Sequence, residues 1–202
     1  GCKLPPKEKK EMQALPAEKI SAYLAAAEDH GVLPMFYLEL TTGIRRGELV
    51  ALLWDDLDPE NQTLSISKSA GRINGEVKVT QPKTTNSVQM IYLPQKTIAL
   101  LIQEHAKHLS KPIMFPSLVT GRLYGPDCIG LLHKSLLKKA GITENFPFHG
   151  LRHTFCTNLA NAGMNPKALQ YIMGHSNITM TLNYYAHATF ASARAEMERL
   201  AA

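Results

Sequence analysis

Residues 149–162 constrain this chain more than any other stretch. They begin His149-Gly150-Leu151-Arg152-His153-Thr154-Phe155 and run to a stop at Gly163. Leu151, Phe155 and Leu159 recur every four residues, so the rest of the chain has to cover an apolar stripe on a helix. His149, Arg152 and His153 stand three and four residues apart on the first turn of that helix. The fold must therefore bury a helix whose N-terminal turn carries three groups that are cationic or can become so. Free backbone N–H groups at that end already favour anions. The combination predicts an anion site, with phosphate the commonest such anion. Taken alone, the pentapeptide is better read as a structural arginine and a core histidine.

The partners available to that helix are mostly helical. Patterning begins near Pro16, with Ile20, Tyr23, Leu24 and Ala27 on one face, and stops at Gly31. An apolar segment follows from Val32 to Leu40, then a turn at Gly43 and a helix from about Arg46, which the Asp55–Pro59 run ends. Alternation in Leu64–Ser67, Val77–Val79 and Ser87–Leu93 predicts short strands, and Asn74-Gly75 is a two-residue hairpin turn. Further helices are expected over 96–109, 126–140, 166–173, 179–186 and 190–201. The fold class is thus α+β, mostly helical, with one small antiparallel β-sheet of about three strands. Residues 1–13, rich in Lys and Glu with two prolines, read as linker. This makes 1–15 a linker or remnant and 16–202 one domain.

Length and composition agree with this. A chain of 202 residues holds one domain with a full-sized core. Apolar content of 45% against 19% charged gives no sign of disorder. A formal charge of +5 is a mild basic excess, compatible with nucleic acid without demanding it. Cys2, Cys128 and Cys156 are odd in number and lack CxxC spacing, which points to a reducing, intracellular setting and away from a thiolate zinc site. No run approaches the roughly 18 apolar residues needed to span a bilayer. The chain opens Gly1-Cys2 rather than with methionine, so an upstream region is expected to be missing.

Four other segments change the reading of His149 and Arg152. Thr42-Gly43-Ile44-Arg45 delivers an arginine from a glycine turn, where a surface arginine is the plainer expectation. Lys83 lies in a loop between two strands, the ordinary place for a solvated lysine. His175 follows a glycine in Gly174-His175-Ser176-Asn177, where Ser176 or Asn177 also suits a helix cap. Tyr184 and Tyr185 sit near a helix end, where paired aromatics usually serve a core.

Together these strings resemble the tyrosine recombinases of the phage integrase family. The matching segments are Thr42–Leu49, Pro82–Ser87, His149–Phe155, Leu169–Ser176 and Met180–His187. They cover nearly the whole chain from about residue 16, and their order and spacing make the set far more specific than any one member. The resemblance implies a catalytic set of Arg45, Lys83, His149, Arg152, His175 and a tyrosine, with Glu48 supporting the first arginine. Spacing from His175 allows Tyr184, whereas the Thr-Leu-Asn-x-Tyr-Ala-His context favours Tyr185 as nucleophile. Their side chains lie about 100° apart around a helix, so only one faces the phosphate. The N-terminal core-binding domain of such enzymes is expected to be absent from this chain.

The chemistry follows from the residue types. An attacked phosphodiester gains charge on its non-bridging oxygens, and two arginines clamp those with charge-assisted, bidentate bonds. Preorganised donors of this kind each contribute roughly 2.7–4 kcal/mol to the transition state. A phenol of pKa about 10 is a poor nucleophile at neutral pH, but surrounding cations favour its ionised form and a neutral His149 can take its proton. Lys83 can protonate the leaving 5′-oxygen. No metal or cofactor is implied, since arginines supply the electrostatics and no acidic two-metal cluster is visible.

Three rivals stand beside this reading. A type IB topoisomerase shares the chemistry but reseals the same strand. A zinc enzyme would use His149 and His153 at i, i+4, without the intervening Glu of the hydrolase motif. A non-catalytic module would use 149–162 and 166–173 as a helix-turn-helix. The partner implied by the resemblance is double-stranded DNA, bound as a homotetramer with exchange of the C-terminal helix. That helix carries Phe190, Ala193, Met197 and Leu200 on one stripe. An accessory directionality factor, a cytoplasmic, nucleoid-associated location and a role in a mobile genetic element are further expectations of the same kind; no membrane role is expected.

Overall fold

The computed structural model describes residues 14–81, 88–107 and 112–185, with 194, 197 and 198 near the C-terminus. Residues 1–13 of the expected linker, Lys83, His187 and most of the C-terminal helix lie outside the described residues, whereas Leu15, at the end of that linker, is buried in the core and donates its N–H to Thr154 Oγ1 at 2.8 Å. Helix α1 (Ala17–Asp29) follows Pro16 and ends before Gly31, whose φ of 70° only glycine adopts freely. Helix α2 (Leu33–Thr42) ends at Gly43, and α3 (Arg46–Ala51) follows. Helix α3 is shorter than expected. Leu52 to Trp54 leave it to pair with 112–114, through Met114 N–H to Leu52 O at 3.0 Å and Trp54 N–H to Pro112 O at 2.9 Å. The Asp55-Asp56 run then forms its own 3-10 turn, capped by Leu53 N–H to Asp56 Oδ2 at 2.8 Å.

The β region holds the expected three-stranded antiparallel sheet and a separate ribbon. Strands β1 (Leu57–Asp58), β2 (Thr63–Ile66) and β5 (Gln89–Tyr92) pair in the order β1-β2-β5, with Leu64 opposite Ile91. Strands β3 (Ser69–Ile73) and β4 (Glu76–Thr80) pair only with each other, so Val77 belongs to the ribbon and not to the sheet. Asn74 and Gly75, at φ 51° and 83°, close the ribbon as the Asn-Gly signal predicts.

The remaining helices are α4 (Gln95–His105), α5 (Pro126–Lys139), α6 (His149–Asn161), α7 (Pro166–Met173) and α8 (Ile178–Leu182). Helix α8 does not run on to 186; Asn183–Tyr185 tightens into a 3-10 turn, which changes where the two tyrosines point. Among the described residues, no helix is long and apolar enough to cross a membrane.

An aromatic wedge sets the position of α6. Tyr23 of α1, Phe36 of α2 and His133 of α5 meet Phe146 and Phe148 of the segment entering α6, with ring centroids 5.6–6.5 Å apart. His133 is 1% exposed and both its ring nitrogens are used. Nε2 lies 2.9 Å from the Phe146 carbonyl, which can only accept, so Nε2 carries the proton. Nδ1 therefore accepts from Tyr23 Oη at 2.7 Å. On α6 itself Leu151, Arg152, Thr154, Cys156 and Ala160 are buried, while Phe155 and Leu159 are only partly covered, against Leu169 and Met173 of α7. The predicted stripe is real but incomplete, because α6 is covered on two sides.

Candidate active site

Arg45 caps α3 and is held by Glu48. The Glu48 carboxylate accepts the Arg45 backbone N–H at 2.8 Å and its Nη1 at 2.8 Å. This reciprocal cap fixes the side chain, which stays 47% exposed at the mouth of a cleft. Arg45 Nη2 then donates to the Gly174 carbonyl at 2.7 Å. Arg152 reaches the same place from below. It is 4% exposed and donates to the carbonyls of Gly43 and Met173. Burial and the neighbouring Arg45 both act against its charge, and carbonyl dipoles compensate for it.

Gly43 explains why this turn needs glycine. Its φ is 60°, and a Cβ there would stand 2.5 Å from the Phe155 ring of α6. The turn thus lies directly on α6, and its carbonyl meets Arg152. The spacing Thr42-Gly43-Ile44-Arg45 sends one group of the turn inward and the next outward.

The C-terminus of α7 is the second anchor. Gly174 is left-handed at φ 56°, and its N–H bonds Tyr171 O at 3.0 Å while His175 N–H bonds Gln170 O at 3.1 Å, the Schellman pattern. That turn presents His175, whose Nδ1 lies 2.9 Å from Thr181 Oγ1. Burial, then the charges of Arg152, Arg45 and His149, press the His175 pKa down to about 4. His149 sits at the first position of α6, also held below its usual value by burial, Arg152 and Arg45. Both rings are therefore neutral at neutral pH and able to accept a proton. Arg45, Glu48, Lys68, Gln89, Lys167 and His175 line a cleft of about 580 Å³.

The two tyrosines face different surroundings. The Tyr184 ring lies 4.9 Å from His153 and stacks on His175 at 6.5 Å and 15°. Burial raises its pKa and the Arg152 charge opposes that rise. Tyr185 turns away, donating from its hydroxyl to Met164 O at 2.5 Å. Arg45, His149, Arg152 and His175 thus come together, with Tyr184 closer to them than Tyr185. Lys83 falls outside the described residues. The capping expectation at 176–177 resolves onto Asn177, which accepts Thr179 N–H at 2.9 Å.

Three residues of the site were not picked out from sequence. Gln89 carries no motif that marks it, and Thr181 stood in the Thr-Leu-Asn-x-Tyr-Ala-His string only as context for the tyrosine. Glu39 left one signal, a lone acid in the otherwise apolar α2. It is fully buried, with both carboxylate oxygens lacking a hydrogen-bond partner among the described residues. Burial holds its carboxyl well above the usual carboxylate range, against the pull of Arg152.

Comparison with known proteins gives the same grouping. The model of the phage integrase family matches residues 8–192. The transposase of transposon Tn916 from Enterococcus faecalis is 42% identical over 177 residues, which cover 80% of this chain and 43% of that protein. The chain spans about half the length, or less, of the curated relatives it matches best. The solved structure of the Tn1549 transposon integrase in complex with transposon right end DNA is 36% identical. It superposes with a TM-score of 0.85 over 98% of this chain and 69% of that one. The XerA recombinase, 23% identical with a TM-score of 0.75, shares the fold. With the family match running through the same strings that build the cleft, the chain belongs to the phage integrase family, as a tyrosine recombinase catalytic domain.

Proposed function

We propose that this chain is the catalytic part of a site-specific DNA recombinase of a mobile genetic element. It cleaves and rejoins strands of double-stranded DNA through a 3′-phosphotyrosyl link. One observation carries the reading: Arg45 and Arg152, from segments over a hundred residues apart, are held on the consecutive carbonyls of Gly174 and Met173. Two guanidiniums so close repel each other, and an anion between them relieves that repulsion. The DNA in the Tn1549 integrase complex supports a phosphodiester as that anion.

In this mechanism a tyrosine oxygen attacks phosphorus, and its proton passes to neutral His149. Arg45, Arg152 and His175 stabilise the charge that develops on the non-bridging oxygens. The P–O5′ bond breaks, and Lys83 supplies the proton to the leaving 5′-oxygen. The phosphotyrosine conserves the bond for a second strand. We assign the nucleophile to Tyr184 in preference to Tyr185. Its support is the stacking on His175 and the influence of Arg152, which Tyr185 lacks. The resemblance extends the proposal to a DNA-bound tetramer that exchanges the helix expected over 190–202, and to a directionality protein.

The test is covalent trapping on a nicked suicide DNA at low salt, with the attached peptide mapped by mass spectrometry. The expected adduct sits on Tyr184, survives Tyr185→Phe and vanishes in Tyr184→Phe. An adduct on Tyr185 would return the nucleophile to the residue favoured by sequence context. No adduct from the protein expressed from its full reading frame would remove the recombinase reading.

A further inference from the structure

The last carbonyls of a helix have no partners within it, yet at the end of α7 every one from Gln170 to Gly174 is taken. Gln170 O accepts the backbone N–H of His175, and Tyr171 O that of Gly174. Gln89 Nε2 donates to Tyr171 O at 2.8 Å and to Ile172 O. Arg152 takes Met173 O and Arg45 takes Gly174 O. Three side chains from three separate elements therefore close one helix end. Two of them are the arginines of the phosphate clamp, and the third has no part in the chemistry.

We propose that Gln89 is a positioning residue: its amide occupies the Tyr171 and Ile172 carbonyls, so that Arg45, Arg152 and His175 are held where the phosphate needs them. The proposal rests on the recombinase reading above.

The physical reason lies in the charge of the helix end. A helix C-terminus carries roughly half a negative charge and attracts cations. With the Ile172 carbonyl free and the Tyr171 carbonyl left with the Gly174 N–H alone, Arg45 or Arg152 gains by sliding onto them, away from the scissile phosphate. A neutral donor fills those positions without adding a third cation that would compete for the phosphate. A lysine or arginine at position 89 would not meet both requirements. Packing is tight enough for this to matter. A Cβ on Gly174 would stand 2.9 Å from Gln89 Oε1 and 3.4 Å from Arg45 Nη1, so turn, amide and guanidinium are in mutual contact. Gln89 also opens β5, immediately after the segment that contains Lys83. The strand that follows the segment containing Lys83 and the turn bearing His175 are thus tied by one side chain.

Gln89→Met keeps the length of the side chain and removes the donor. Gln89 is only half-buried, so the variant is expected to fold. Four quantities are compared with wild type: the rate of covalent adduct formation on the suicide DNA, the affinity for the same DNA, the thermal stability, and the His175 titration followed by NMR without DNA. The expected result is a fall in cleavage of about tenfold to a hundredfold, the range for a small misplacement of catalytic groups. DNA affinity should stay within about twofold, because phosphate contacts elsewhere dominate it. The His175 pKa should rise from about 4 toward that of a free histidine. Wild-type cleavage with an unmoved titration would overturn the proposal. So would parallel losses of cleavage, affinity and thermal stability, which mark a merely structural role. Should wild type form no adduct while the titration moves in Gln89→Met, the recombinase reading fails and the positioning role stands.

Discussion

Two histidines, one in the aromatic wedge and one at the cleft, are both pushed down to a pKa of about 4, and they serve different ends. His133 lies in the aromatic wedge, fully buried, with one ring nitrogen accepting from Tyr23 and the other donating to Phe146 O. Its low pKa comes from burial, and nothing remains on the ring to offer a ligand. His175 lies at the cleft, with only Nδ1 occupied among the described contacts and with Arg152, Arg45 and His149 adding to the effect of burial. A depressed histidine pKa therefore does not by itself mark a site. What distinguishes the two is the source of the field: apolar packing around one, converging cations around the other. The first environment holds the helix still; the second is arranged for an anion.

Four measurements test that contrast. His133→Ala should cost the most, about 3–5 kcal/mol in urea denaturation, since it leaves a cavity and strands the Tyr23 hydroxyl. A loss under about 1 kcal/mol would show that the wedge does not anchor α6. His175→Ala should behave oppositely. Covalent adduct formation should fall about a hundredfold to a thousandfold, some 2.7–4 kcal/mol, while stability changes by about 1 kcal/mol for the lost Thr181 bond.

The third is a pH titration of stability. A histidine with a lowered folded pKa binds its proton in the unfolded chain first. His133 thus leaves stability intact above pH 6.5, and stability declines as pH falls from 6.5 to about 4. The decline from this residue should be about 3 kcal/mol, and His133→Gln should flatten it. Persistence of the full slope in His133→Gln would assign it to other groups. The smallest effect is expected from Tyr23→Phe, about 1–2 kcal/mol for one buried hydrogen bond to Nδ1. Adduct formation per folded molecule should be unchanged, because the wedge acts on the position of α6 and not on the phosphate.

Much of the fold was legible because its signals are local. Gly31, Gly43, Gly141, Gly163 and Gly174 all take positive φ at or next to helix ends, and Asn74-Gly75 closed a hairpin where expected. Errors came where a distant partner intervened. Leu52 and Leu53 have helical patterning but pair with 112–114, and Val77 pairs with Arg72 rather than joining the sheet. The buried acid Glu39 shows the same limit. A lone Glu in an apolar run is visible, but its neighbour Arg152 lies 113 positions away in sequence.

From the sequence alone came the resemblance to the phage integrase family and, through it, the chemistry expected of this chain. Arg45, His149, Arg152 and His175 were picked out because the strings that carry them match that family in order and spacing, while each alone also suits a surface, cap or core role. Tertiary structure alone decided how they are held. Neither Gln89 nor the part Thr181 plays was marked, since a single hydrogen bond to a helix end or a ring nitrogen leaves no periodicity behind. The different surroundings of Tyr184 and Tyr185 arose the same way, from a 3-10 turn after Leu182 that sets one ring on His175 and turns the other toward Met164. Local patterns follow from the chain's own geometry, whereas contacts between distant segments exist only after the core has closed.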